Sequence, residues 1–414
     1  MGRRAKLGRA LGWLWAAYAV SAYGTGLGFG AFSVVAIEVL HAGSAEVATL
    51  SSAGLALGAL LAIPLGPWME FRAKRPVMIA TDVVRFAVLA SIPLAYWLDV
   101  LSFAQLLVVS MIAAAAKIAF TAASGAHLKT LVPADRLLVA TSRFESTTWS
   151  ATVLGPPLGG AAIGLLGPVI TVAVDALSYL LSALGVLAIR EPERRPEPRK
   201  AAARRWSDVV EGWRYLFAHA TLRGLFVNAL LVNGLIMATE PLLSVLMLAH
   251  LGFPVWQYGL AFAVPCVGGL LGSRLARHVT ARFGERTVLR VFGTLRACWS
   301  LGLAFVQPGV AGLAVVMVTE FGLIVCVSLF APVLAAYRLN TVEADRQARV
   351  LTAWSIGTSL SIAVITVAWG LLAQLVGPRP AIALAGVALL ATPFVLPRRF
   401  AASDRRVGAA SFQA

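Results

Sequence analysis

The stretch Arg190-Glu191-Pro192-Glu193-Arg194-Arg195-Pro196-Glu197-Pro198-Arg199-Lys200 divides this chain. Prolines and charges of both signs make it a solvated linker that no bilayer would accept. Six long apolar runs precede it, at 11–37, 47–65, 77–96, 103–123, 138–166 and 169–189. Six follow, at 222–248, 258–275, 287–305, 310–336, 350–376 and 381–395. A crossing helix needs roughly 20 apolar residues, so each run reads as one span. Only Gly167-Pro168, a turn signal, parts the fifth run from the sixth. The expected fold is all-α: a polytopic membrane protein with twelve transmembrane helices in two pseudo-symmetric six-helix bundles. The bundles are expected at 1–189 and 222–397, joined by a linker at 190–221 and followed by a tail at 398–414.

Composition agrees. Of the 414 residues, 59% are hydrophobic and 13% charged, against about 45–50% and about 25% in soluble domains. A soluble enzyme, a disordered chain and a disulfide scaffold are thereby excluded. The net charge of +16 would suggest nucleic acid on a soluble chain. Here 30 of the 35 basic residues fall on the side that holds the N-terminus, and one, Arg379, on the other. That is positive-inside topology, with attraction to anionic lipid, and no nucleic-acid partner is expected. Both termini are expected in the cytoplasm, with the chain in a bacterial cytoplasmic membrane. Arg3-Arg4-Ala5-Lys6 mimics a signal peptide, but the run behind it is too long, so a retained first span is expected. The scattered histidines and the apolar settings of Cys266, Cys298 and Cys326 suggest no metal, disulfide or cofactor. Without a P-loop, ATP hydrolysis is not the expected drive.

The halves repeat each other. A shift of 210 positions pairs Val132 with Val342, Ala134-Asp135-Arg136 with Ala344-Asp345-Arg346, Thr148 with Thr358, Gly160 with Gly370, Leu165 with Leu375 and Gly167-Pro168 with Gly377-Pro378. A shift of 211 pairs Arg75 with Arg286 and Arg85 with Arg296. Parallel six-span repeats with substrate bound between them build one large class of secondary transporters. After the linker, Val209, Trp213, Leu216 and Ala220 share one helical face, which predicts a short amphipathic helix along the inner membrane surface.

Gly66-Pro-Trp-Met-Glu70-Phe-Arg72-Ala-Lys74-Arg75 resembles the major facilitator signature G-x-x-x-D-R-x-G-R-R, with Glu70 for the acid and Lys74-Arg75 for the final basic pair. The loop ending Gly284-Glu285-Arg286 repeats part of it. Leu131-Val-Pro133-Ala-Asp135-Arg136, Gly155-Pro156-Pro157-Leu-Gly159-Gly160, Asp175-Ala-Leu-Ser-Tyr179 and Glu211-Gly-Trp-Arg-Tyr-Leu are similar to the branch holding the enterobactin exporter and macrolide-efflux proteins. The resemblance implies a proton-driven exporter of a drug-like or siderophore-like compound, acting as a monomer. Its partners would be a small-molecule substrate, protons and the bilayer. An importer, a lysolipid flippase of the same fold and a non-transporting sensor are the alternatives. The branch commonly carries Ser-x-x-Gly-Asp on span one; here Ser21-Ala-Tyr-Gly24-Thr25 lacks the acid.

A charge at the centre of a membrane helix costs at least about 2.5–3.5 kcal/mol, so each one needs a partner or a task. In the resembled fold, spans one, two, four, five, seven, eight, ten and eleven line the cavity. That implies cavity positions for Lys117, Glu145, Thr25, Trp149 and Trp354, and also for Glu240 and Glu320. Glu320, by its depth, and Glu240, before Pro241, are the candidate proton carriers, exchanging a proton for a cationic substrate. Asp82 and Arg85, three apart on one face, pair as a latch; with Arg296, Glu70, Lys74, Arg75 and Arg286 they form the expected gate. Gly155, Pro156, Gly159 and Gly160 look like an antiporter motif, in which missing side chains let helices touch and proline bends them.

Overall fold

A computed structural model describes residues 9–70, 72–132, 134–189, 206–343 and 346–397. The linker at 190–205, the tail and the side chains of Glu70, Glu145 and Trp149 lie outside the described residues. Among the described residues, twelve helices are long and apolar enough to cross a membrane.

Span one runs Arg9–Leu27, breaks, and resumes as Ala31–Val34 with a π-helical end at Val35–Val39. Spans two to six are Ser44–Glu70, Lys74–Trp97, Phe103–Leu131, Ala134–Leu166 and Pro168–Leu187. Span seven, Ala220–Val245, also ends in a π-helical turn, Leu246–His250. Spans eight to twelve are Val255–Phe283, Glu285–Cys298 with Ser300–Phe305, Val310–Thr341, Gln347–Val376, and Pro378–Ala391 with Thr392–Val395. The fifth and sixth runs are two helices. Gly167 turns the chain with φ +84° and Gly377 repeats it with φ +87°, a region that a side chain would strain. Each is followed by proline at the first helical position, where no amide hydrogen is needed.

The two halves pack alike. Span one lies on five and six as seven lies on eleven and twelve; span four lies on two and three as ten lies on eight and nine. Across the divide, span two packs on eleven and five on eight. Small residues at both seams allow this. Gly160 meets Gly259 backbone to backbone, and Gly370, its repeat partner, sits against Ala45 and Ala48. Outward-facing leucines such as Leu165 and Leu375, each 85% exposed, form the lipid-facing surface.

The linker helix, Trp206–Ala218, is separate from span seven. Part of its apolar face, expected along the membrane surface, is turned inward instead, while Val210 and Phe217 alongside it stay exposed. It packs on spans seven and eleven, where Trp213 Nε1 donates to the Ala353 carbonyl (2.9 Å) and Val209 and Leu216 are buried. Protein supplies the apolar contact that the membrane surface was expected to supply.

Candidate substrate cavity and coupling groups

Because spans alternate in direction, the start of span one, the end of span six, the helix Trp206–Ala218 and the end of span twelve lie at one end of the bundle, here called the linker face. The halves close on each other toward the opposite, far face. There Gly164 packs on Trp256, Gly30 on Tyr258, and the Phe29 and Phe262 rings stand edge to face at 5.6 Å. On the linker side of that closure lies a cavity of about 540 Å³, a size that holds drug-sized molecules. Thr25 and Lys117 are on its lining, and so are Pro156, Tyr18, Phe120 and Phe262.

Arg85, read as a latch, also lines the cavity. It is buried, and its surroundings explain how a guanidinium is tolerated at this depth. Nη1 pairs with Asp82 Oδ1 (3.6 Å) and donates to Ser21 Oγ (3.3 Å). Nη2 donates to Thr25 Oγ1 (3.3 Å), and the guanidinium carbon stands 3.5 Å from the centre of the Tyr179 ring. Pairing, hydrogen bonds and a π face together replace water. Thr25, where the resembled branch commonly carries an acid, is hydrogen-bonded to Tyr179 Oη (2.8 Å). A carboxylate does reach this region, from span six. Asp175 fills the notch left by Gly28, where a Cβ would stand 2.7 Å from Asp175 Oδ2. Spacing on single helices could not join Asp175 to span one; the signal available was Gly24 and Gly28, one turn apart.

Arg296, the repeat partner of Arg85, has no acid beside it among the described residues. It donates to Asn228 Oδ1 (2.6 Å) and lies over the Phe330 ring at 3.8 Å. Asn228 in turn donates to the Thr392 carbonyl (2.9 Å). Both arginines therefore tie their helix to a neighbour inside one half.

Arg75 donates to the Val186 and Leu187 carbonyls (3.2 and 2.7 Å), capping the C-terminal end of span six. Lys74 donates to the Arg72 carbonyl (2.7 Å), and Arg286 is exposed. Gly155 and Gly159 let span five press on span one: Cβ atoms there would come within 2.8 Å of Gly26 Cα and 2.7 Å of the Leu27 carbonyl oxygen. Trp354 is not at the cavity. It is buried in the second half against Phe226, ring centres 5.0 Å apart, with Arg338 over its face at 4.4 Å. The helix turn that carries it faces span seven and the linker helix.

Glu240 and Glu320 come from spans seven and ten and lie within electrostatic range of each other. Neither lines the cavity. Each sits one turn beyond a residue that does, Met237 and Ile324 respectively. No hydrogen bond or ion pair joins either carboxylate to another described residue. The carbonyl freed by Pro241 is that of Met237, at the cavity wall.

Twelve spans in two like halves around a central cavity define a secondary transporter. The Major Facilitator Superfamily profile matches residues 14–330, and the chain belongs to that superfamily, a family of transporters and not of enzymes. It is 26% identical over 372 residues to the multidrug efflux pump Tap of Mycobacterium tuberculosis, covering 87% of this chain and 84% of the pump. It is 27% identical over 298 residues to the pump of that name from Mycolicibacterium fortuitum, covering 69% and 71%. Among solved structures it resembles the nucleoside transporter NupG, with TM-score 0.74 and 11% identity over 94% of this chain and 98% of that one. It also resembles a bacterial homologue of the iron transporter ferroportin in an inward-facing state, with TM-score 0.73 and 16% identity over 94% and 98%. At such identities the two structures share the fold alone.

Proposed function

We propose that this protein is a proton-coupled exporter of amphipathic organic compounds, drug-like or siderophore-like, working as a monomer by alternating access. The linker face is cytoplasmic, as the basic residues of the loops argue, so the cavity described above takes substrate from inside the cell. The relatives named as multidrug efflux pumps support export. The observation that carries proton coupling is the pair Glu240 and Glu320, two carboxylates from spans seven and ten within electrostatic range of each other and without a cation partner among the described residues. Two neighbouring acids in a low-dielectric setting cannot both stay ionised, so a proton enters or leaves as the surroundings change. Glu320 is the carrier, and Glu240 sets the geometry around it.

Reconstituted vesicles with an imposed pH gradient test this. Glu320→Gln should abolish uphill transport yet leave downhill exchange, and Glu240→Gln should mainly weaken binding. Full gradient-driven transport by Glu320→Gln would refute the assignment. Accumulation of a toxic compound in cells that express the protein, in place of its depletion, would reverse the direction.

A further inference from the structure

The two walls of the central cavity differ in kind. The first half contributes Lys117, Arg85 and hydroxyls such as Thr25 and Thr148; the second contributes Met237, Phe262, Cys266 and Ile324. Both charged side chains on the described lining are cations. The acids described in this region stand behind the wall: Asp82 and Asp175 are buried, and Glu240 and Glu320 lie one turn beyond the lining. A cationic compound would therefore meet like charge on one side and apolar side chains on the other.

The cations are not equivalent. Arg85 is occupied by Asp82, Ser21, Thr25 and Tyr179. Lys117 is exposed, and its ammonium makes no hydrogen bond or ion pair with any described residue. It also lines a second cavity, about 580 Å³, between spans two, four and eleven. Ser51, Ser355 and Ser359 border that cavity and can add hydroxyl donors. The Asp175 carboxylate lies within electrostatic range of Lys117 but makes no direct contact with it, which leaves the ammonium able to hold an anion in the cavity.

We infer that the transported compound is an amphipathic organic anion, its acidic group held at Lys117 and its apolar body laid against Phe262, Met237 and Ile324. The inference rests on reading the cavity as the transport site. It departs from the expectation of a cationic substrate, because none of the described carboxylates that would attract one lines the cavity.

Equilibrium dialysis with the full chain in phosphatidylcholine nanodiscs tests it, with empty nanodiscs subtracted. Three probes are used: 8-anilinonaphthalene-1-sulfonate, its uncharged parent N-phenyl-1-naphthylamine, and the cation tetraphenylphosphonium. Lys117→Gln should weaken sulfonate binding by about tenfold or more, as loss of a charge-assisted hydrogen bond implies. The uncharged parent should bind both proteins alike, which also shows that the variant is folded, and Lys117→Arg should restore the sulfonate. The inference fails if the wild type shows no saturable sulfonate binding, if Lys117→Gln binds sulfonate as well as the wild type, or if the phosphonium binds more tightly than the sulfonate. Binding is read without a gradient. A failure of proton coupling at Glu320 would thus leave this result standing, and the reverse holds too.

Discussion

Gly160 of span five and Gly259 of span eight touch backbone to backbone, one from each half of the molecule. Closure of the far face depends on neither having a side chain. Gly160→Val should hold the halves apart there. A cysteine placed at Thr148, which lines the cavity, should then react faster with an impermeant maleimide from outside the cell. Export should fall in parallel. Unchanged labelling would show that the seam is not a gate.

Asp82 and Arg85 give a stability prediction. Both are buried, at 0% and 3% exposure. Removing one partner of such a pair strands the other, at a cost of about 3–5 kcal/mol. Asp82→Asn should markedly lower the thermal stability of the detergent-solubilised protein. Arg85→Lys should not replace the native residue, because an ammonium cannot both span Ser21 and Thr25 and stack on Tyr179. A melting temperature unchanged in Asp82→Asn would mean that Asp175 or water already serves Arg85.

The pH response of transport has a definite sign. If one proton enters per compound exported, lowering the outside pH by one unit adds about 1.4 kcal/mol to the drive, or about tenfold in the limiting concentration ratio. The slope should persist in Glu240→Gln, at a higher half-saturating concentration, and vanish in Glu320→Gln. Transport ratios measured against imposed gradients in vesicles give both quantities. A tenfold slope retained in Glu320→Gln would move the proton to another acid, with Asp175 next in line by its position beside span one.

The linker helix separates a weak contact from a strong one. Glu211 accepts two hydrogen bonds from Arg349 Nη1, both 2.9 Å, but the side chains are 48% and 43% exposed. Such pairs contribute about 0–1 kcal/mol, so Glu211→Gln should leave transport and stability nearly unchanged. Gly212→Val should not, since a Cβ there meets the Arg349 carbonyl oxygen at 2.5 Å. Undocking would show as faster proteolysis between the halves.

Much of this was legible in the residues one after another. Span number, the break at Gly167-Pro168, the six-plus-six division and the linker helix each follow from local apolarity and turn chemistry, which act over one or two turns of chain. The repeat of Gly160 in Gly370 was legible as well, and both prove to sit at the seams between the halves. What the residues could not show is which side chains meet across helices. Arg85 read as a latch because Asp82 lies three residues away; Ser21, Thr25 and Tyr179, which bring it to the cavity wall, come from spans one and six. Trp354 read as a cavity aromatic and is buried core, because rotation about a helix axis is set by packing and not by depth. Depth along each span is a property of the sequence, since apolar length against bilayer thickness decides it. Facing is a property of the tertiary structure. In a membrane, every side of a helix is apolar enough to meet lipid, and only close packing against small residues selects the side that turns inward.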